Sequence, residues 1–381
     1  MTATAEEILP WLHLQRLPGI GNLLYKRLID RFGTAAAVLQ AEPEAWREVE
    51  GMNGRAMEAL RRKPSPDPAL LASIRAWLKK GIRVVTLADC DYPPLLREIP
   101  DPPPVLFARG EPAAVGAFPV AVVGSRRPTR YGRDMAHRLA GDLARRGCTV
   151  VSGLAFGIDA AAHEGALAAG GKTVAVLGSG LERIYPAEHG PLAKRLLDGG
   201  ALFSEFAPEA APEAWRFPVR NRVISGLSLG CVVVEAGARS GALITARLAA
   251  DQGREVFAVP GSVASPRSAG THGLIKQGAK LVENVEDILV ELGFPAPGES
   301  ADPPATGTRP SAPAEPLTPE ETEVLQALGP YPLHIDELGR SLGKDAGTLS
   351  SLLLQLELKG AALSHPGKYY TAAFRPPGGR P

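Results

Sequence analysis

The sequence predicts an α/β fold with a doubly wound parallel sheet, preceded by a helical module and followed by a winged helix. Short β-branched runs of strand length alternate with segments of helical periodicity. The strand runs carry no polar alternation, which is typical of strands buried on both faces between two layers of helices. Glycine-rich loops follow several strands and open the next helices, as in Rossmann-like sheets that bind ligands at one edge.

The N-terminal module, residues 1–65, is predicted to be a helix-hairpin-helix or SAM-like domain. Its helical periodicity between Ala5 and Arg62 is interrupted by Leu17-Pro-Gly-Ile-Gly21, a glycine turn between two helices. A degenerate second copy follows at Val49-Glu-Gly-Met-Asn-Gly54. Backbone N–H groups at such a turn can hold a phosphate, whereas the alternative is that both turns are simple helix caps.

Residues 66–296 form the predicted extended Rossmann-like domain. Its predicted strands are Arg83–Leu87, Val120–Val123, Thr149–Ser152, Thr173–Leu177, Cys231–Glu235 and Glu255–Val259. Its predicted helices include Tyr131–Arg146, Ile158–Ala169, Glu188–Leu197 and Ala242–Gln252. We expect the loops after the strands to meet at the carboxyl edge of the sheet.

A proline-rich linker, residues 297–316, precedes a predicted winged helix at residues 317–374. Thr318-Pro-Glu-Glu321 is a capping box that begins the first helix of the winged helix. Helices at Ile335–Ser341 and Ala346–Lys359 follow, then two short strands around a Pro-Gly turn. Winged helices contact duplex DNA or other proteins, and the low positive charge of the third helix favours a protein or no nucleic-acid role.

The composition predicts a cytoplasmic globular protein without a metal or a cofactor. The chain of 381 residues is 45% hydrophobic and 22% charged, and its apolar runs are far shorter than the roughly 20 residues of a membrane span. The first ten residues lack the basic and apolar pattern of a signal peptide. The three cysteines are widely separated, which argues against a zinc site or a disulfide framework.

Positive charge is concentrated in two places, although the formal net charge is only +1. No acidic residue stands between Glu111 and Asp134, a stretch that holds Arg126, Arg127, Arg130 and Arg133. A second cluster contains Arg216, Arg220 and Arg222. Concentrated arginines allow a nearly neutral protein to bind a polyanion locally.

Four glycine-and-hydroxyl loops follow strands and are suited to bind phosphates. They are Val123-Gly-Ser-Arg-Arg127, Ser152-Gly-Leu-Ala-Phe-Gly-Ile-Asp159, Leu177-Gly-Ser-Gly180 and Glu235-Ala-Gly-Ala-Arg-Ser-Gly241, the last opening the helix that contains Thr245. Glycine permits close backbone approach, and arginine binds phosphate with a two-pronged fork. The loops together predict a long anion-binding groove, and the alternative is that each is a plain turn.

The segment Phe217-Pro-Val-Arg-Asn-Arg222 places an aromatic ring beside phosphate ligands, a combination suited to single strands with exposed bases. Trp215 could share the stacking. The alternative is that both aromatics are core residues and that the arginines pair with Glu205, Glu213 or Glu235. The predicted DNA-binding residues are Gly124, Ser125, Arg126, Arg127, Gly153, Phe156, Trp215, Phe217, Arg220, Asn221, Arg222, Ser240, Gly241 and Thr245.

Enzyme motifs are incomplete, and no catalytic residue is predicted. Gly178-Ser-Gly-Leu-Glu-Arg183 has arginine where a dinucleotide fingerprint needs its third glycine. Gly171-Lys-Thr173 lacks the first glycine of a P-loop, because Ala166 stands there. His163 is predicted to support a neighbouring group by a hydrogen bond and not to act as a base.

The chain resembles the DNA-processing protein A (DprA/Smf) family over nearly its whole length. The motifs that carry the resemblance are Val123-Gly-Ser-Arg126, Ser152-Gly-Leu-Ala155 with Gly157-Ile-Asp159 and His163, Tyr185-Pro186, Ser204-Glu205, Phe217-Pro218 with Arg220-Asn-Arg222, Ser240-Gly-Ala-Leu-Ile-Thr245, Val259-Pro-Gly261, and Gly270 with Leu274-Ile275 and Gly278-Ala279. The resemblance implies a non-catalytic protein that binds single-stranded DNA, forms a homodimer through its Rossmann-like domain and loads RecA during natural transformation. It also implies that Arg126 holds phosphate, that Phe217 stacks a base, and that Arg220, Asn221 and Arg222 line the same pocket.

Three positions depart from the pattern of the family. Phe156 stands where many relatives have a lysine, His189 replaces an asparagine, and Ala214 lies where some relatives have a lysine. Two other functions stay open. One is a nucleotide-processing phosphoribohydrolase of the lysine-decarboxylase-like type, although the loop Ala236–Gly241 lacks the Pro-Gly pair and the acid of that class. The other is a scaffold that docks partners through the winged helix.

Overall fold

The computed structural model describes residues 3–62, 67–294, 317–328, 333–359, 361–365 and 368–372. The chain divides into two compact units, Met1–Leu292 and Gly293–Pro381. The predicted linker, residues 297–316, and the Pro-Gly turn at residues 366–367 lie outside the described residues. The boundaries proposed near residues 65 and 296 therefore stay predictions.

The first unit contains a sheet with helices on both of its faces. Its helices are α1 (Ala5–Arg16), α2 (Asn22–Phe32), α3 (Ala35–Gln40), α4 (Pro43–Arg47), α5 (Gly54–Arg61), α6 (Pro68–Lys79), α7 (Pro94–Glu98), α8 (Arg130–Arg145), α9 (Ile158–Ala168), α10 (Gly190–Leu196), α11 (Arg216–Gly226), α12 (Ala242–Asp251), α13 (Ala269–Lys276) and α14 (Val285–Glu291). Its strands are β1 (Arg83–Thr86), β2 (Val105–Gly110), β3 (Pro119–Val123), β4 (Thr149–Ser152), β5 (Thr173–Val176), β6 (Ala201–Ser204), β7 (Gly230–Val233), β8 (Glu255–Ala258) and β9 (Lys280–Leu281). Short 3-10 helices occupy Pro112–Val115 and Ala187–His189.

The nine strands form one sheet in the order β1-β2-β6-β5-β4-β3-β7-β8-β9. Neighbours from β6 to β9 are parallel, whereas β2 is antiparallel to both β1 and β6. The chain runs outward from β3 to β6, then returns to place β7 on the other side of β3. This reversal confirms the predicted doubly wound sheet, and the crevice between the loops after β3 and β7 is where such folds bind ligands.

The N-terminal helices share one hydrophobic core with the sheet, and its residues run from Ala5 to Ala249. The two glycine turns face each other within this module. The Asn53 side chain begins α5 by accepting a hydrogen bond from the Ala56 N–H (2.9 Å) and donates another to the Gly19 carbonyl (3.0 Å). Gly19 has φ +88°, and a Cβ there would lie 2.7 Å from the Ala56 nitrogen. The turn at Gly19 is therefore held in place by the second glycine turn, through Asn53.

The second unit is a winged helix, as predicted. It contains helices α15 (Pro319–Ala327), α16 (Ile335–Leu342) and α17 (Ala346–Leu358), and strands β10 (Leu333–His334), β11 (Ala362–His365) and β12 (Tyr369–Ala372). The strands form an antiparallel sheet in the order β10-β12-β11. The predicted capping box is present, with the Thr318 hydroxyl accepting from the Glu321 N–H and the Glu321 carboxylate accepting from the Thr318 N–H.

Candidate nucleic-acid interface

An open cavity of about 590 Å³ lies at the carboxyl edge of the sheet, where the loops after β3 and β7 meet. Eight of the fourteen predicted residues line it: Gly124, Arg126, Phe217, Arg220, Asn221, Ser240, Gly241 and Thr245. The other six lie outside the lining: Ser125, Arg127, Gly153, Phe156, Trp215 and Arg222. The predicted loops therefore do converge, although the pocket contains only part of the predicted set.

The most exposed part of the pocket pairs a cation with aromatic rings. The guanidinium of Arg126 lies 5.3 Å from the centre of the Phe217 ring. The ring of Tyr185 is 5.5 Å from that of Phe217, at an interplanar angle of 52°. Phe217 packs closely over Gly178, where a Cβ would lie 2.7 Å from the ring. Glycine at this position therefore lets the strand-end loop support the ring, while Arg126 stays exposed above it.

The start of α12 forms the opposite wall. Its N-cap residue, Gly241, offers no side-chain hydrogen bond, and the first N–H groups of the helix donate within the turn: Ala242 to the Ser240 hydroxyl (3.4 Å), Leu243 to the Ser240 carbonyl (3.1 Å) and Ile244 to the Gly241 carbonyl (3.1 Å). Ser240 and Thr245 also line the cavity. A helix N-terminus carries a partial positive charge and favours an anion. This wall and Arg126 therefore create a site with positive potential on two sides.

Arg220 lies under the pocket and supports its floor. It is 4% exposed, and its guanidinium donates to the Gly153 carbonyl (2.7 Å) and to the Val176 carbonyl. These bonds join the ends of β4 and β5. Burial lowers the pKa of Arg220 to about 10, although the nearby carboxylate of Asp159 opposes that shift. Arg220 lines the cavity, but its guanidinium donates mainly to backbone carbonyls of the protein.

The expectation that Arg222 lines the same pocket is wrong. Arg222 is 5% exposed and forms ion pairs with Glu205 (2.7 Å) and Asp101 (3.2 Å). It lies two positions, about 200° around the helix, from Arg220, so the two side chains point to different faces of α11. The alternative stated for this cluster, pairing with acids, holds for Arg222 with Glu205 and for Arg216 with Glu213.

The remaining predicted residues either hold the loops by backbone hydrogen bonds or have side chains exposed outside the cavity. The Ser125 N–H donates to the Glu235 carbonyl (2.7 Å), and the Gly153 N–H donates to Asp159 (3.1 Å), so neither amide is free for a phosphate. Arg127 is exposed outside the cavity. Phe156 is exposed and meets the His189 ring edge-on at 4.9 Å.

Trp215 is 56% exposed on the loop that leads to α11. Its indole N–H donates to Glu213 (2.8 Å), and the guanidinium of Arg216 lies about 5 Å from both the Trp215 and the Phe206 rings, at 5.2 and 5.1 Å. The alternative that Trp215 is a core aromatic is thus excluded. Trp215 is therefore an exposed ring, two positions before Phe217 in the chain, whose indole N–H is held by Glu213.

Sequence reasoning missed two buried carboxylates that shape the pocket loops. Glu235 accepts hydrogen bonds from the N–H and the hydroxyl of Thr129, and so fixes the loop between β3 and α8. Asp159 accepts from the N–H groups of Gly153 and Ala155. Burial raises the pKa of Asp159, although the charge of Arg220 partly offsets it. The Gly157-Ile-Asp159 motif was the available signal for Asp159, whereas Glu235 was named only as a possible partner of the arginines.

His163 is fully buried and supports the sheet, as expected. The Thr173 hydroxyl donates to the Val150 carbonyl (2.8 Å), so it accepts from Nδ1 of His163, which lies 2.7 Å away. Burial lowers the pKa of His163 to about 3. The imidazole is therefore neutral at ordinary pH.

Within the described residues, no group of three or more His, Cys, Asp and Glu side chains is placed to hold a metal ion. No described helix has both the length and the apolarity that crossing a bilayer requires.

Residues 83–293 match the family described as DNA recombination-mediator protein A. The chain belongs to this family. Residues 5–62 match the DprA-like N-terminal HHH domain, and residues 308–368 match the DprA winged helix domain. The resemblance inferred from the pocket motifs is thereby confirmed, together with the three-part fold.

Relatives in the DNA recombination-mediator protein A family match most of the chain. Protein Smf from Escherichia coli (strain K12) is 43% identical over 309 residues, which cover 78% of this chain and 80% of the relative. Protein Smf from Synechocystis sp. (strain ATCC 27184 / PCC 6803 / Kazusa) is 34% identical over 391 residues, 94% of this chain and 97% of the relative.

Two solved structures of DNA processing protein A are similar to this member of the family. The Streptococcus pneumoniae protein matches with a TM-score of 0.64 and 35% identity, covering 76% of this chain and 99% of that one. The Helicobacter pylori protein matches with a TM-score of 0.50 and 30% identity, covering 55% and 95%. The Helicobacter structure is described in terms of its single-stranded DNA binding mode.

Proposed function

We propose that this protein binds single-stranded DNA in the pocket between the loops after β3 and β7. The observation that carries the proposal is the guanidinium of Arg126 placed 5.3 Å from the half-buried Phe217 ring. A phosphate ligand and a stacking surface are thus held together at the mouth of one cavity. Single strands present both a phosphate and an unpaired base to such a site, whereas a duplex keeps its bases stacked inside.

We infer that the pocket has a binding role, with catalysis kept as the rival function. The carboxylate of Asp159, which lines the cavity, already accepts two backbone hydrogen bonds. Both bonds end on the same oxygen, Oδ2, which therefore holds the loop after β4. Incubation with nucleoside monophosphates tests the rival phosphoribohydrolase function, and release of free base would favour that enzyme over a binding protein.

The cellular role proposed here is that of a recombination mediator in the cytoplasm. Protected single strands would be transferred to RecA during natural transformation, and a homodimer formed through the Rossmann-like domain would place two pockets on one assembly. The family and the pocket support the DNA-binding part of this role. Sedimentation of the full chain tests the homodimer, and stimulation of RecA filament assembly on protein-coated single strands tests the transfer.

The experiment that tests binding is a fluorescence-anisotropy titration of a labelled single strand and its matching duplex at several salt concentrations. We expect the protein to bind the single strand more tightly than the duplex. The logarithm of the binding constant should fall linearly with the logarithm of the salt concentration. Equal binding of the two DNAs, or none, would contradict the proposal and leave the anion for this pocket to be found.

A further inference from the structure

A second cationic surface lies outside the pocket, beside the start of α8. Arg127, Arg130 and Arg133 are exposed there, together with Arg267 from the loop after β8 and the ring of Tyr131. These five residues are called the α8 track below. None of them lines the cavity of about 590 Å³.

The α8 track is formed where two acid-free stretches of the chain meet. Residues 112–133 contain no Asp or Glu, and neither do residues 256–282. Two contacts join them: the Arg267 guanidinium donates to the Arg127 carbonyl (2.5 Å), and the Tyr131 hydroxyl donates to the Pro260 carbonyl (3.0 Å). The fold therefore brings the arginines of both stretches onto one surface, and neither stretch contributes an acidic residue to it.

Acids contributed by other elements neutralise little of this charge. Asp134, one residue past the first stretch, lies 3.6 Å from Arg130, whose side chain is 95% exposed. A pair so exposed contributes little and is easily displaced. Glu235 is buried and committed to Thr129. In the described part of the chain, no acid lies within 4.0 Å of a cationic nitrogen of Arg127, Arg133 or Arg267.

Tyr131 gives the track an aromatic surface as well as charge. Tyr131 is 51% exposed, and its hydroxyl donates to the Pro260 carbonyl (3.0 Å), so the side chain is held in place while it remains open to solvent. The track is continuous with the pocket through the chain, because Arg126 lines the cavity and Arg127 begins the track. Repeated phosphate contacts with an interposed aromatic ring are the pattern that proteins use to follow a single strand.

We propose that single-stranded DNA leaving the pocket continues along the α8 track, with phosphates on Arg130 and Arg133 and a base against Tyr131. The proposal rests on the function proposed above and extends its footprint. It predicts two classes of contact. Short oligonucleotides would occupy the pocket alone, and longer ones would gain affinity from the track.

The test compares wild-type protein with a chain carrying Arg130→Gln and Arg133→Gln, using a ladder of oligothymidylates and salt concentrations. For long oligonucleotides we expect the slope of log affinity against log salt to fall by about 1.4, since each single-strand phosphate contributes about 0.7. For the shortest oligonucleotides that bind, slope and affinity should stay at wild-type values.

The matched control is Arg145→Gln with Arg146→Gln, which removes the same charge from the other end of α8, about 22 Å along the helix. Those arginines pair with Asp142 and Glu286. We expect this control to keep the wild-type length dependence. Tyr131→Ala should weaken binding of long oligonucleotides by about fivefold to a hundredfold, whereas Tyr131→Phe, which keeps the ring, should weaken it far less.

The outcomes separate the two proposals. If wild-type protein fails to prefer single strands, the pocket function is wrong. If it prefers them but the Arg130/Arg133 variant binds short and long oligonucleotides as wild type does, the track is wrong and the pocket stands. Equal losses for all lengths, or a loss confined to duplex DNA, would also overturn the track.

Discussion

Three arginines for which the sequence predicts the same role, DNA binding, have three different roles in the structure. Arg126 is exposed and faces a ring, Arg220 holds backbone carbonyls under the pocket, and Arg222 is enclosed between two acids. The sequence shows the cluster and the residue types. It does not show which side of α11 faces inward, because the acids that decide it, Asp101 and Glu205, come from distant parts of the chain.

The first prediction separates phosphate binding from base stacking at the pocket mouth. Arg126→Ala should reduce the salt slope of single-strand binding by about 0.7, the contribution of one phosphate. Phe217→Leu should leave that slope unchanged and raise Kd, with a loss of about 1–3 kcal/mol because one stacked base is lost. Anisotropy titrations at several salt concentrations check both, and identical effects of the two changes on the slope would show that the assignment is wrong.

The second prediction concerns Arg222 as a buried partner and not a DNA ligand. Arg222→Ala leaves the enclosed Glu205 without its cation, which typically costs about 3–5 kcal/mol of the free energy of unfolding. Burial already raises the pKa of Glu205, and loss of Arg222 would raise it further. Chemical denaturation measures the cost, and Arg126→Ala, at an exposed position, serves as the control that should unfold like wild type.

The pH dependence of this cost has a definite sign. A raised pKa in the folded state means that the folded protein binds the Glu205 proton more tightly than the unfolded chain does, so stability falls as pH rises through the raised pKa. The deficit of Arg222→Ala should therefore be greatest at neutral pH and shrink towards pH 4.5, the ordinary value for the group. A deficit independent of pH would mean that Glu205 is not the group left unpaired.

At the scale of elements, six of the nine strands described in the first unit were predicted, and β2, β6 and β9 were missed. The interior strands β3, β4, β5 and β7 are β-branched runs with glycine loops behind them. Strand β2 follows the proline-rich residues 100–104 and pairs antiparallel, and β9 has only two residues. Neither carries a periodic signal long enough to separate it from a loop. The same limit explains why the turn at Gly19 could not be paired in advance with Asn53.

The third prediction uses the two glycines of the first N-terminal turn. Gly19→Ala forces a side chain into φ +88° and within 2.7 Å of the Ala56 nitrogen, so we expect a loss of about 1–3 kcal/mol or more in the free energy of unfolding. Gly21→Ala is the matched control, since its φ is −86° and no atom lies within 4 Å of an added Cβ. Thermal and denaturant unfolding compare the two, and equal losses would refute the close packing of the two turns.

At the scale of the whole molecule, the position of the pocket follows from topology. The chain reverses direction across the sheet between β3 and β7, and the loops that follow these strands line the crevice at the carboxyl edge of the sheet. Sequence reasoning located this crevice because both loops carry glycine, hydroxyl and arginine residues. It found Arg127, Arg130 and Arg133 as a charge cluster but not the contribution of Arg267, because that part of the surface depends on the loop after β8 meeting the loop after β3, a contact between residues more than 120 positions apart.

The last prediction concerns the second unit. Its winged helix lacks the positive charge that is typical of winged helices that bind duplex DNA. Its third helix, α17, carries no Lys or Arg between Ala346 and Leu358, and the sequence from residue 317 to residue 372 holds seven acids against four Lys and Arg. Phosphate contacts position most DNA-binding helices, so α17 lacks the groups that would hold it in a DNA groove.

Because the first unit contains the pocket and its own core, a chain ending at Pro316 should keep the single-strand affinity and salt slope of the full chain. Paired anisotropy titrations measure both, and a tenfold loss of single-strand or duplex affinity on truncation would assign DNA contact to the winged helix after all.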